Sequence, residues 1–158
     1  PDGCLPCSTF CSASVRVRPP VAINVATLAS CTGVSAVPGQ MALHVMPVWA
    51  VWMHDGLWLS TSGDSTKGRN LARKPRCSLT LDESGMQVVV EGNVRRVTDD
   101  GELRRFAEVY AAKYSWPMTV RNDAVHFEDG ARGYVYAVRA ETVFAFVEEP
   151  FTSTRWRF

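Results

Sequence analysis

Histidine is scarce in this chain, with three in 158 residues, and neither sign of charge is in surplus: 17 Lys and Arg stand against 16 Asp and Glu. A net charge of +1 supplies no field that steers the protein toward nucleic acid or an acidic membrane face, so no nucleic-acid partner is expected. His44, His54 and His126 stand at no fixed spacing to a Ser or Cys nucleophile, and neither His-Glu-x-x-His nor Gly-x-Ser-x-Gly occurs. No catalytic set built from protein groups alone is legible. Long apolar runs are missing as well. The uncharged stretch 19–43 has an apolar centre, Val21 to Ala29, that is interrupted by Asn24 and Thr27 and falls well short of the ~20 residues a spanning helix needs. No membrane span is expected.

What is present is unevenly distributed. Residues 1–43 carry only Asp2, Arg16 and Arg18 as charges but hold Cys4, Cys7, Cys11 and Cys31, leaving Cys77 alone in the remainder. The spacing Cys4-x-x-Cys7-x-x-x-Cys11 lacks a second Cys/His pair at zinc distance, so no metal is expected. The cysteine pattern suits a reducing, cytoplasmic compartment better than a disulfide scaffold. Leu28-Ala29-Ser30-Cys31 resembles a lipoprotein cleavage box, a short pattern that also arises by chance. The chain therefore divides into an atypical segment, 1–43, and a domain, 44–158.

From His44 the pattern is regular. His44 to Met53 is rich in Val and Trp and predicts a strand buried on both faces, with His54-Asp55-Gly56 turning into a second strand, Leu57 to Ser62. A short helix is predicted over Thr66 to Arg73, ended by Pro75. Cys77 to Leu81 and Met86 to Val97 read as two more strands, with a bulge at Gly92. Asp99 or Asp100 caps a longer helix to about Tyr114, with Leu103, Phe106, Ala107, Tyr110 and Tyr114 on one stripe. Ser115 to Arg132 reads as loop, and Gly133 to Val147 as strand. About six strands with one longer and one short helix predict a mainly β (α+β) antiparallel barrel, not a wound βαβ sheet.

The richest chemistry lies between the second strand and the short helix. Ser60, Thr61, Ser62, Gly63, Asp64 and Ser65 lead into a helix whose first turns carry Lys67, Arg69 and Asn70. Hydroxyls, backbone N–H groups and two cations at a helix start suit a phosphate or carboxylate, whereas an ordinary solvated basic helix is the plainer alternative. The Walker order Gly-Lys-Ser/Thr is absent. Trp49, Trp52 and Trp58 either wall a flat-ring pocket beside it or fill the core or a dimer interface. Any hard chemistry then belongs to a bound cofactor.

Several blocks in order carry a resemblance: Pro47 to Trp52, Leu59-Ser60-Thr61, Ser65 to Arg76, Val88-Val89-Val90-Glu91-Gly92 and Thr154-Arg155-Trp156-Arg157-Phe158. Together they resemble the pyridoxamine 5'-phosphate oxidase-like split β-barrel proteins, and within them the coenzyme F420 (deazaflavin)-dependent branch, over residues 44–158. The resemblance implies a homodimer binding flavin-type cofactors at the subunit interface, with hydride transfer between F420, or alternatively FMN, and a small organic substrate. By position, Lys67, Arg69 and Asn70 with Ser60, Thr61 and Ser62 would hold the cofactor phosphate and tail, and Val48 and Trp49 would face its ring. Thr66 stands where many members carry Arg. No catalytic residue is assigned.

Residues 1–43 depart from that pattern. Members enter the first hairpin through an Asp-Gly-x-Pro-His turn, whereas Gly39-Gln40-Met41-Ala42-Leu43 precedes His44 here. If Gln40 is encoded by CAG, reading from the third base of each codon turns Gln40-Met41-Ala42 into Asp-Gly, with Pro following from Leu43 and His44, so residues before about 44 are expected to derive from a shifted reading frame or to be poorly ordered. Three functions follow: a deazaflavin- or FMN-dependent oxidoreductase, a non-catalytic flavin, deazaflavin or haem binder, or a disabled relative.

Overall fold

A computed structural model of the chain describes residues 26–28, 47–54, 56–83 and 85–158. Among them nine strands and two helices follow in order: β1 (Ala26–Leu28), β2 (Ala50–Met53), β3 (Gly56–Thr61), α1 (Thr66–Arg73), β4 (Arg76–Glu83), β5 (Met86–Arg96), α2 (Asp100–Tyr114), β6 (Met118–Arg121), β7 (Ala124–Phe127), β8 (Arg132–Val147) and β9 (Thr152–Arg157). The expectations for residues 1–25 and 29–46, including the cysteine cluster, the cleavage box and the altered reading frame, lie outside the described residues. No helix among the described residues is long and apolar enough to cross a membrane.

Turn chemistry sets the hairpins. His54 takes a left-handed φ of 49° where β2 returns as β3, and Gly85 takes 81° where β4 returns as β5. The antiparallel order is β1-β4-β5-β8-β3-β2. Strand β8 organises the whole. One of its edges pairs with β5 from Tyr136 to Val147; the other pairs with β3 from Tyr134 to Val138 and then with β9 from Thr142 to Val147. The sheet divides where β8 changes partner, near Glu141, whose carboxylate takes Arg76 at 2.8 Å and whose carbonyl takes the Phe158 N–H at 3.0 Å. The result is the split antiparallel barrel expected from the sequence. The ladder slips at Glu91/Gly92, the expected bulge, and a Cβ at Gly92 would collide with the Arg139 carbonyl.

Two cores result from the two faces of the strands. Leu57, Leu59, Leu79, Val90, Tyr136 and Val138 fill the first, and Leu71 of α1 seals it. Val51, Trp58, Val97, Leu103, Phe106 and Val135 fill the second, covered by α2. Helix α2 follows its apolar stripe: Asp99 accepts from the Glu102 N–H at 2.8 Å, Leu103, Phe106, Ala107 and Tyr110 are buried, and Ser115 ends it at φ 52°.

Two expectations need correction, and one strand was not foreseen. Among the described residues the β2 ladder begins only at Ala50, and β2 ends the strand order with Trp52 62% exposed. Apolar content alone does not distinguish an interior strand from a sheet-edge strand. The stretch 115–132 is not all loop, because β6 and β7 form a hairpin whose turn residues Asn122 and Asp123 both adopt positive φ, 51° and 54°. Two consecutive positive φ values are the demand of a type I′ turn, and Asn and Asp tolerate it. Strand β9, finally, alternates too weakly to show in the sequence; it forms because β8 offers a free edge.

Candidate functional site

The junction of β3 and α1 is closed by its own hydroxyls. Ser65 Oγ donates to the Ser62 carbonyl at 2.7 Å and accepts from the Gly68 N–H at 2.9 Å, capping α1. Its single proton is thereby used, so at the 3.0 Å contact with Thr61 Oγ1 it is Thr61 that donates. Ser62 Oγ accepts from the Asp64 N–H at 3.2 Å. A Cβ at Gly68 would meet the Ser62 carbonyl, so glycine lets the helix lie directly on the loop. Thr61, Ser62 and Ser65 are thus brought together as a rigid start for the helix.

The cations behave differently from one another. Arg69 folds back, its guanidinium donating to the Asp64 carbonyl and, at 3.3 Å, to Thr66 Oγ1, so it braces the loop. Lys67 is half-buried, and among the described residues its ammonium has neither a hydrogen-bond acceptor nor a carboxylate. Burial holds its pKa below the ordinary lysine value, because partial desolvation disfavours the charged form. Asn70 is half-buried, and its carbonyl accepts from the Lys74 N–H at 2.8 Å.

Ser60 does not join this group. Its Oγ is buried without a hydrogen-bond partner and abuts Gly133, where a Cβ would collide with it, on the face opposite Thr61. Val48 is 4% exposed and packs in the first core, so only its backbone can serve a ligand. Trp49 lies just beyond the Ala50–Leu59 pair, next to the end of β3, and is 43% exposed. One face of its indole stacks on Tyr114 (centroids 5.3 Å, 19° between planes), and Trp116 meets it edge-on at 5.0 Å. The three tryptophans do not share one wall: Trp52 points to solvent and Trp58 is buried in the second core.

Sequence reasoning missed a clamp beside Trp49. Tyr114 Oη and Lys113 Nζ both bind the backbone of Ala50. Their only sequence signal was the position of Tyr114 at the end of the apolar stripe, which reads as packing. A separate concavity lined by His54, Trp58, Arg95 and Glu102 contains none of the expected site residues. No group of His, Cys, Asp and Glu suited to a metal occurs among the described residues, and Cys77 is a buried free thiol.

Among the described residues, the start of α1 thus offers a half-buried ammonium without a carboxylate beside a hydroxyl-capped loop, and the residue before β2 offers a partly exposed indole stacked on Tyr114. The residues present fit a flavin-type phosphate at Lys67. A family profile described as pyridoxamine 5'-phosphate oxidase matches residues 20–144. The chain belongs to that family. The match begins inside the segment that the sequence pattern set apart, and β1 in that segment pairs with β4, Ala26 opposite Thr80. Similar solved structures include a NimC/NimA family protein of Clostridium acetobutylicum (11% identity, TM-score 0.57, 85% of this chain and 86% of that one). PhzG of Burkholderia lata, solved with tetrahydrophenazine-1-carboxylic acid, is 16% identical at a TM-score of 0.53 over 87% of this chain and 77% of that one. A heme binding protein of Mycobacterium smegmatis is 22% identical at a TM-score of 0.56, over 84% of this chain and 53% of that one. At these identities the likeness is one of fold. No curated protein sequence matches the chain.

Proposed function

We propose that this protein is an oxidoreductase that binds coenzyme F420, with FMN as the alternative, and serves hydride transfer to or from a small organic substrate. The observation that carries the reading is Lys67, a half-buried ammonium at the first turn of α1 with no counter-charge among the described residues. Family membership supplies the context, and the terminal Arg155-Trp156-Arg157-Phe158 block favours the deazaflavin branch.

In this reading Lys67 pairs with the cofactor phosphate, while the Thr61–Ser62–Ser65 hydroxyl network and Arg69 hold the loop in place for it. In the same reading the partly exposed indole of Trp49, stacked on Tyr114, meets the cofactor ring, and the Val48 backbone borders it. The bound cofactor supplies the hydride chemistry; the protein fixes geometry and excludes water. A homodimer belongs to the same proposal, since Trp49, Trp52, Met86, Trp156 and Phe158 are large apolar side chains left exposed in one protomer.

The test is a titration of the purified protein with F420 and, separately, FMN, followed by tryptophan fluorescence. Binding of F420 at micromolar levels with quenching of Trp49 supports the deazaflavin reading; tight binding of FMN alone moves the protein to the flavin branch. Binding of neither by a folded dimer overturns the reading. Turnover of reduced cofactor with an acceptor then separates an enzyme from a carrier.

A further inference from the structure

Strand register gathers a second set of cations on the first-core face of the barrel. Arg132, Tyr134 and Tyr136 alternate along β8 and share one face. Thr61 pairs with Tyr134 and Arg96 with Tyr136, which puts Thr61 and Arg96 on that face too. The guanidinium of Arg96 lies 3.8 Å from the centroid of the Tyr134 ring and that of Arg132 lies 4.8 Å from it. Gly63, in the loop before α1, packs against the same ring, and a Cβ there would overlap it.

Two like charges held on one ring repel each other, and among the described residues no acid offsets them. Arg76, Arg95, Arg104 and Arg105 each have a carboxylate partner, whereas among the described residues Arg96 and Arg132 have none. A second observation points the same way. Tyr136 is only 5% exposed, yet among the described residues nothing hydrogen-bonds its hydroxyl, which is not sealed from solvent. The charged and titratable neighbours that act on this phenol are Arg96 and Tyr134. The Tyr136 hydroxyl thus stands beside the Arg96 guanidinium with its donor open to solvent, where an incoming anion can accept from it.

We propose that Arg96, Arg132 and Tyr136, arranged on the Tyr134 ring, form an anion site for a carboxylate or phosphate group, separate from the Lys67 site. The guanidinium forks supply charge and direction, and the Tyr136 hydroxyl donates the remaining hydrogen bond. Tyr134 holds both arginines in place through cation–π contact, which keeps their donors preorganised. This site does not depend on the cofactor reading. Its occupant is either an anionic group of the proposed cofactor's tail or a separate small molecule, and both present the same chemistry.

The test is calorimetric titration of the full chain with inorganic pyrophosphate and with citrate, in wild type and in the variants Arg96→Gln, Arg132→Gln, Tyr136→Phe and Lys67→Ala. Both anions are expected to bind wild type, with affinity falling about tenfold in each arginine variant and about threefold in Tyr136→Phe, the scale of one charged and one neutral hydrogen bond. Lys67→Ala removes the phosphate contact of the proposed cofactor site, so it is expected to abolish at most a second pyrophosphate event and to leave the event that depends on Arg96 and Arg132 in place. Circular dichroism checks folding; should a Gln variant fail to fold, Arg96→Lys and Arg132→Lys, which keep charge but lose the fork, are expected to weaken binding about threefold. Wild type that ignores both anions, arginine variants that bind as wild type, or binding lost only in Lys67→Ala each overturn the proposal. Repeating the titration with F420 present identifies the source: competition assigns the site to the cofactor's tail, and unchanged affinity assigns it to a separate molecule.

Discussion

Tyr114 holds Ala50 by both of its backbone groups: the phenol Oη donates to the Ala50 carbonyl at 2.7 Å and accepts from the Ala50 N–H at 3.2 Å. Ala50 opens an edge strand, where these groups would otherwise face solvent or a foreign chain. Lys113 adds a third bond to the same carbonyl at 3.0 Å. The end of α2 is thus fixed to the residue next to Trp49, and the stacking of Trp49 on Tyr114 follows from it.

Removing the hydroxyl with Tyr114→Phe should cost about 1–3 kcal/mol, because two part-buried hydrogen bonds go and the ring stays. Urea unfolding measures it. A loss below the error of that measurement would show that Ala50 is held by its ladder alone.

Lys67→Ala should weaken cofactor binding by about 1–3 kcal/mol, the scale of a charged hydrogen bond. Its effect on stability should have the opposite sign. Burial lowers the Lys67 pKa, so the unfolded chain keeps a proton that the folded chain gives up earlier; the cost is fully present at neutral pH and fades as pH rises toward 10.5. Lys67→Met is therefore expected to match or exceed wild type in urea at pH 7 while binding FMN or F420 less well.

In an ordinary helix interior Gly→Ala gains about 1 kcal/mol. At Gly68 the added Cβ meets the Ser62 carbonyl, so the helix must lift from the loop, and Gly68→Ala should cost about 1–3 kcal/mol instead, as overpacking does. Thermal melts of the variant, with and without cofactor, give the sign.

Cys77 should be inert in the native protein. Burial among the first-core residues pushes its thiol up to about 12, so at pH 8 only about one molecule in ten thousand carries the thiolate. Unfolding restores the ordinary value of 9.0; between 9.0 and about 12 the unfolded chain releases a proton the folded chain retains, and this group lowers stability as pH rises through that window. A thiol reagent at pH 8 should label Cys77 only after denaturant is added.

Local signals in the sequence settled much of this molecule. The limits of α1 and α2, the Asp99 cap, the His54 turn and the bulge at Gly92 follow from periodicity, capping chemistry and turn residues, all of which act within a few residues. The hydroxyl and basic run from Ser60 to Asn70 marked the β3–α1 junction for the same reason.

Tertiary pairing decided the rest. Ser60 and Thr61 look alike in the sequence, but the two-residue period of β3 puts them on opposite faces, Ser60 Oγ sealed beside Gly133 and Thr61 in the loop network. Arg69 and Lys67 look alike too, until Arg69 turns back on the Asp64 carbonyl while Lys67 has no carboxylate partner among the described residues. Tyr114 reaches Ala50 across 64 positions, and Arg96 and Arg132 meet on Tyr134 only through the register of β5 against β8. Residue type and short-range pattern fixed most of the elements; long-range register, which no local pattern encodes, fixed β9 and which charges are left without partners among the described residues.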